Sequence, residues 1–323
     1  MANPLVPHST HQVIDSTKLQ AYLTCPRMYF WEYVLGWRRE VPSNHLHFGS
    51  AWHEAMETLL RHGYGDDAVI MAYQAFEKKY REMYDSETDE IYAPKNPERA
   101  LLALAKYVQR YSDDQYKYEV LHTEVAGTVA ISESRLLRFK MDSIVRDKQD
   151  GSILSIEHKT GSSTWGWDTQ WPLSLQCGTY NHALNCMYEM DNVKGILISG
   201  TFFKKVKKIS PDCIDFMRIP VFNQPWQMNR WLWLVNIYYE QIEREMEMAF
   251  SASDDEPNFD AFPLNPTNCS KFFGCPYHDF CCAWENPLQH CHTPPIGFTE
   301  YRWDPSAEAS PKATIVALEM KDG

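Results

Sequence analysis

The sequence predicts a mixed α/β fold: a strand-built core with helices added at both ends. Three observations predict it. From about residue 16 to 115, apolar side chains recur at helical spacing. After about residue 118, β-branched residues and partial alternation take over. A helix, two further strands and a long helix then lead into a Pro- and Cys-rich end.

The elements follow in order. Asp15, Ser16 and Thr17 can cap a short helix carrying Leu19, Tyr22 and Leu23 on one side and ending at Cys25-Pro26. The aromatic stretch from Tyr29 to Trp37 is expected to pack nearby. A second helix is expected from about Gly49-Ser50, burying Trp52, Ala55, Met56 and Leu59. Asp66 caps a third, with Val69, Tyr73, Phe76, Tyr80 and Met83 at helical spacing, and Pro97-Glu98 opens a fourth through Leu101, Leu104 or Ala105, and Val108. Strands are expected at Glu119 to Ile131, Leu136 to Val145 and Ile153 to Lys159, with Asp150-Gly151 turning between the last two. A helix from about Pro172 to Met190, strands at Gly195 to Phe203 and Met217 to Phe222, and a helix from about Gln224 to Ala249 complete the core. The final thirty or so residues read as loop or tail, and there is no internal repeat.

With 44% hydrophobic and 14% aromatic residues, the 323-residue chain can bury a large core. The 11 Trp and 18 Tyr suit thick cores and also stacking on unpaired bases, with core packing the default for any one of them. The first fifteen residues hold no Lys or Arg and no long apolar stretch, so no signal peptide is expected. No apolar run reaches the ~18 residues of a membrane span, and a soluble, cytoplasmic protein is expected. A net charge of −12 argues against a general nucleic-acid coat protein, yet leaves room for a local basic track.

The segment from Asp142 to Lys159 carries the chemistry. If the hairpin is symmetric about the Gln149/Asp150 junction, Asp142 lies directly opposite Glu157, close enough for both carboxylates to share one cation. Glu157 and Lys159, two apart on one strand, project from the same face. His158 points away but leaves its backbone carbonyl available as a ligand. Two carboxylates and a lysine suit phosphodiester hydrolysis: hard oxygen ligands hold Mg2+ or Mn2+, and the lysine orients water or neutralises charge in the transition state. The plain alternative is a solvent-facing ion pair. His53, beside the buried Trp52, and Gln176 with Tyr180, one helical turn apart, are by themselves unremarkable.

Taken together, Gly49-x3-His53, Asp142, Glu157-x-Lys159 and Gln176-x3-Tyr180 resemble, in order and spacing, the RecB-like branch of the PD-(D/E)xK nucleases, over about residues 16 to 282. The resemblance implies a restriction-endonuclease-like mixed sheet flanked by helices. It implies that His53, Asp142 and Glu157 bind the metal with help from the His158 carbonyl. Lys159 is then the catalytic lysine, and Gln176 and Tyr180 contact the substrate strand or order the site. A single domain over residues 1–295 is expected, with a helical part (about 16–115), a catalytic core (about 118–250) and a Cys-rich closure (262–292) joined to Cys25, followed by a tail over 296–323.

Nine cysteines in a cytosolic chain point to metal ligation rather than disulfides. Cys269-x5-Cys275-x5-Cys281 clusters near the end and Cys25 stands alone near the start. One upstream and three downstream cysteines resemble the iron–sulfur subgroup of this branch, which includes helicase–nucleases and CRISPR-adaptation exonucleases, and imply a 4Fe-4S cluster on Cys25, Cys269, Cys275 and Cys281. The spacing between the first two downstream cysteines is longer than the subgroup's commonest. Cys282 competes with Cys281, and zinc competes with iron–sulfur because His278, Cys291 and His292 lie near. Cys177, Cys186 and Cys213 are expected as ordinary buried thiols. The cluster's expected role is to staple the ends of a loop of about 250 residues.

Lys204, Lys205, Lys207 and Lys208, or Arg135, Arg138 and Lys140, are the candidates for tracking phosphates, against a solvated strand end. The subgroup implies a DNA exonuclease needing a free end. No GxxxxGK[ST] motor motif is present, so a helicase, recombinase or CRISPR protein is an expected partner. The small size fits a phage or bacterial genome. The rivals are a noncatalytic, zinc-stapled DNA-end-binding module and a structure-specific endonuclease.

Overall fold

Asp15 accepts a hydrogen bond from the Lys18 backbone N–H at 2.8 Å, capping α1 (Ser16–Thr24). Such caps contribute about 1 kcal/mol. Cys25 is extended at its end, so the chain turns into α2 (Pro26–Tyr29), with Pro26 at the first helical position, and into a π-helical turn over Phe30–Val34. The computed structural model describes residues 3–41, 43–206, 210–271, 274–304 and 313–320.

Among these, α3 (Asn44–His62), α4 (Asp66–Tyr80), α5 (Pro97–Tyr111) and the short α6 (Asp114–Lys117) precede the main strands. α3 starts earlier than Gly49 because its buried stripe extends back to Phe48, one turn before Trp52. In α4 and α5 the buried faces run through Ala68, Ala72, Phe76 and Tyr80, and through Ala100, Ala103, Leu104 and Tyr107. That is one residue out of phase with the expected stripe at Val69, Tyr73 and Leu101, because alanines admit closer helix packing.

Two short strands, β1 (Ile14–Asp15) and β2 (Trp37–Arg39), were not expected. The main strands are β3 (Tyr118–Ala130), β4 (Leu136–Asp147), β5 (Ile153–Gly161), β6 (Val193–Phe203) and β7 (Ile214–Val221), with α7 (Leu175–Met187) between β5 and β6 and α8 (Pro225–Ser251) after β7. The stretch expected as tail follows α9 (His278–Ala283) and contains β8 (Phe298–Glu300) and β9 (Thr314–Leu318). β8 pairs with β2, while β9 joins β3 in parallel at the sheet edge. An edge strand exposes unpaired backbone groups, and β9 satisfies those of β3.

The described residues thus form a seven-stranded mixed sheet of order β7-β6-β5-β4-β3-β9, with β1 beside β4. β5 runs parallel to β6, and β3–β4, β4–β5 and β6–β7 are antiparallel. Successive strand residues point to opposite faces. On β6, Phe202 joins the core formed with α7 and α8, while Phe203 joins the core of α3, α4 and α5. The sheet is therefore covered by helices on both faces, as the sequence predicts.

Candidate active site

The hairpin register is the one expected from symmetry. Ser143 pairs with Ile156 and Ile144 with Ser155, so the same register carries Asp142 to Glu157. Asp142 Oδ2 accepts the His158 backbone N–H at 2.7 Å. Its other oxygen, Oδ1, lies 2.8 Å from His53 Nδ1 on α3. Lys159 Nζ donates to Glu157 Oε1 at 2.7 Å. From α7, Gln176 Nε2 reaches Glu157 Oε1 at 3.3 Å and the Tyr180 hydroxyl at 2.8 Å, and Tyr180 donates to the Lys140 carbonyl. His53, Asp142, Glu157, Lys159, Gln176 and Tyr180 are all gathered at one place. The His158 ring turns the other way, against Tyr107.

Glu157 is 2% exposed, and its Oε2 has no hydrogen-bond partner. A buried, unpaired anionic oxygen is costly unless a cation completes it. Burial, and then the charge of Asp142, push the Glu157 carboxyl up against the pull of Lys159. Burial would raise Asp142 too, but the His53 charge and hydrogen bond outweigh it and hold that carboxyl well below the usual range. Burial pulls His53 and Lys159 down, and the two carboxylates more than reverse this. The donor set, two carboxylates and an imidazole beside an ammonium, fits a hard divalent cation. Among the described residues, no three His, Cys, Asp or Glu side chains converge closely enough to enclose an ion by themselves. His53 and Asp142 are instead bonded to each other.

Two carboxylates escaped the sequence reading. The pairs Thr123–Ser143 and Val125–Met141 put Glu124 across from Asp142, so Glu124, Asp142 and Glu157 form a row over β3, β4 and β5. Glu124 lies in the left-handed region (φ 51°), beyond the register shift at Val120/His122, and pairs with Lys140 at 2.5 Å. Glu57 stands one turn beyond His53, held by Arg61 at 2.5 Å and by the Thr123 hydroxyl at 3.2 Å. The signal for Glu57 was its helical spacing from His53. For Glu124 it was the register of the β3–β4 hairpin.

A cleft of about 480 Å³ opens beside Lys159 and Gln176 and is walled by Ser16, Thr17 and Gln20 of α1. Arg138 and Lys140 line a smaller cavity next to Gln176 and Tyr180. Of the other basic candidates, Arg135 binds Glu243 at 2.8 Å and Lys204 binds Asp215 at 3.1 Å. Lys205 belongs to the stretch that follows β6, while Lys207 and Lys208 lie outside the described residues.

At the other end of α1, all nine cysteines are free thiols. Burial raises the Cys275 thiol, with Cys25 and Cys269 adding to it. Burial also raises Cys281, with Cys25 and Cys275 adding and Arg27 opposing. The four expected cysteines thus come to one region although about 240 residues separate the first from the other three, but among the described residues no three of them converge closely enough to hold an ion. Cys281 Sγ accepts from Trp31 Nε1 at 3.5 Å, and Cys25 Sγ from the Asn265 backbone N–H at 3.4 Å. Cys282 is exposed, its sulfur 3.7 Å from His278 and turned out of this set. Cys177 and Cys213 are buried, as expected, and Cys186 is half-buried.

The family model described as "PD-(D/E)XK nuclease superfamily" matches residues 16–282. No curated protein matches the chain. Among solved structures, the chain is similar to one described as a "putative exonuclease" from Eubacterium rectale, at 16% identity over 73% of this chain and 83% of that one, with a TM-score of 0.45. It is also similar to the protein SSO0001, at 16% identity over 69% and 82% of the two chains, with a TM-score of 0.26. Likenesses this distant leave the assignment to the family match. Among the described residues, no helix is long and apolar enough to cross a membrane.

Proposed function

This chain belongs to the PD-(D/E)XK nuclease superfamily, and from that premise we propose that it is a Mg2+- or Mn2+-dependent DNA exonuclease of the RecB-like, iron–sulfur kind, acting on single strands or free ends. The observation that carries the catalytic part is the meeting of Asp142, Glu157 and Lys159 on adjacent strands, with the buried Glu157 Oε2 left without a partner.

Glu157, Asp142 and His53 would hold the cation, assisted by the His158 carbonyl. When bound, such a cation polarises the scissile phosphate and makes water a nucleophile near neutral pH. Lys159 stays protonated beside two carboxylates and offers its charge to the phosphate as negative charge builds up. Gln176 fixes the Glu157 Oε1 orientation and links it to Tyr180, whose hydroxyl is anchored on the β4 backbone. Burial, then Glu157 and Asp142, keep the Tyr180 phenol protonated, so it acts as a donor.

We assign Cys25, Cys269, Cys275 and Cys281 to a 4Fe-4S cluster. The one-upstream, three-downstream spacing supports this reading, as do the influence of Cys25 and Cys269 on Cys275 and that of Cys25 and Cys275 on Cys281. A helicase, recombinase or CRISPR-adaptation protein would supply the motor that the sequence lacks.

The test is degradation of end-labelled single- and double-stranded DNA with Mg2+ or Mn2+, using anaerobically purified protein. Metal-dependent loss of label by the wild type, abolished in Glu157→Ala and Lys159→Ala, supports the enzyme and gives its polarity. DNA binding without cleavage under every condition would instead support an end-binding module.

A further inference from the structure

The N-terminus of α7 separates two hollows. On one side lies the cleft holding Lys159, and on the other a cavity of about 320 Å³ between α7 and the start of α8. Ser174 and Leu175 line both, so the two adjoin at the helix end. The second cavity is polar where it meets α8, through Asn223, Gln227 and Arg230. Its floor is Trp231, whose buried Nε1 has no hydrogen-bond partner and lies against Gly178.

Beside the cavity, α8 carries exposed aromatics. Trp226 is 60% and Trp233 63% exposed, seven residues apart on one face of α8, and the Arg230 guanidinium sits 5.2 Å from the Trp226 ring centre. Leu173, at the mouth, is 76% exposed. Leaving such large apolar side chains in water marks an interaction surface. From Pro225 to Tyr239, α8 contains no Asp or Glu, and its cation is Arg230. An aromatic strip bearing one cation, free of acidic groups, suits unpaired bases on a phosphate backbone. Adjacency to the Lys159 cleft, across Ser174 and Leu175, points to the same occupant.

We propose that the α7–α8 cavity, with Arg230 in its wall and Trp226 against Arg230, is a stacking subsite for unpaired nucleotides of the strand whose phosphate lies at Lys159. The inference rests on the nuclease reading and adds the place where single-stranded substrate is held. Trp226 stacks a base, Arg230 faces the adjoining phosphate, and Asn223 and Gln227 offer hydrogen bonds inside the cavity.

The experiment measures fluorescence anisotropy of a labelled oligothymidylate, about a dozen nucleotides long, on full-length protein carrying Glu157→Gln to prevent cleavage. Trp226→Ala is expected to weaken binding at least about fivefold, while Trp226→Phe retains most of it. Arg230→Ala is expected to lower the salt slope by about one phosphate contact. Trp226 is largely exposed, so the variants should melt with the parent, which a thermal scan checks. Unchanged affinity in Trp226→Ala together with an unchanged slope in Arg230→Ala overturns the subsite and leaves the strip to a protein partner. If wild type cleaves DNA and the variants still bind as the parent does, only this inference falls. If the parent binds no oligonucleotide and wild type cleaves nothing, the nuclease reading falls with it.

Discussion

His158 donates its backbone N–H to Asp142 Oδ2 at 2.7 Å, joining β5 to β4 through the carboxylate itself. The same residue sends its ring to the opposite face, where it is 1% exposed beside Tyr107. One strand position thus orients a candidate metal ligand with its backbone and fills the helical core with its side chain.

The ring makes stability depend on pH. Burial pushes His158 from 6.5 down to about 3, so between these values the unfolded chain binds the proton and the folded one does not. Stability is fully present above pH 6.5 and falls as the solution is acidified, by at most about 1.4 kcal/mol per pH unit. The contribution lost at pH 5 is about 2 kcal/mol. Urea unfolding of wild type and His158→Leu across this range should show a shallower slope in the variant. Parallel curves would refute a neutral buried ring.

Catalytic losses should grade with distance from the scissile phosphate. Lys159→Ala is expected to lower the rate by about 10²–10³, as for the loss of a group that stabilises developing charge. Gln176→Ala, which touches Glu157 from outside the donor set, should cost about 10- to 100-fold. Single-turnover rates at saturating metal measure both. An equal loss in the two would mean that Gln176 touches the reacting atoms.

Gly178 is required by packing. A Cβ there would meet the Trp231 ring at 2.2 Å. Gly178→Ala should therefore destabilise the protein by about 1–3 kcal/mol through overpacking, although alanine favours helix. The melting temperature should fall, and a rise would show that the indole can move aside.

The cysteine assignment predicts a spectrum and a stability loss together. Cys25→Ser and Cys275→Ser should each lose the brown colour and much soluble protein, whereas Cys282→Ser, whose sulfur faces His278, should keep both. A colourless wild type that binds zinc stoichiometrically would select the zinc alternative. A soluble, fully active Cys275→Ser enzyme would remove the staple role.

Much of the site was legible because its parts are local. Asp142 and Glu157 face each other through a hairpin whose register follows from its turn, and Lys159 shares a strand with Glu157, so counting residues was enough. Gln176 and Tyr180 needed only the helical repeat. Glu124 was missed because its place depends on a bulged β3 with an uncommon backbone conformation, which no alternation pattern announces. For the basic candidates, spacing could not show which acids fold back onto them, as Glu243 does on Arg135 and Asp215 on Lys204.

The sequence by itself determined the order of helices and strands, the cap at Asp15 and the chemistry of the hairpin, because each is set by residues within one or two turns of each other. Only the tertiary structure decided that His53 reaches Asp142 across the chain and that β9 closes the sheet edge beside β3. It also decided that the Cys282 sulfur lies beside His278 and the Cys281 sulfur beside the Trp31 indole. Apart from the pair Cys282 and His278, these contacts are separated by tens to hundreds of residues. Their formation depends on burial of the two cores as a whole, which local spacing does not encode.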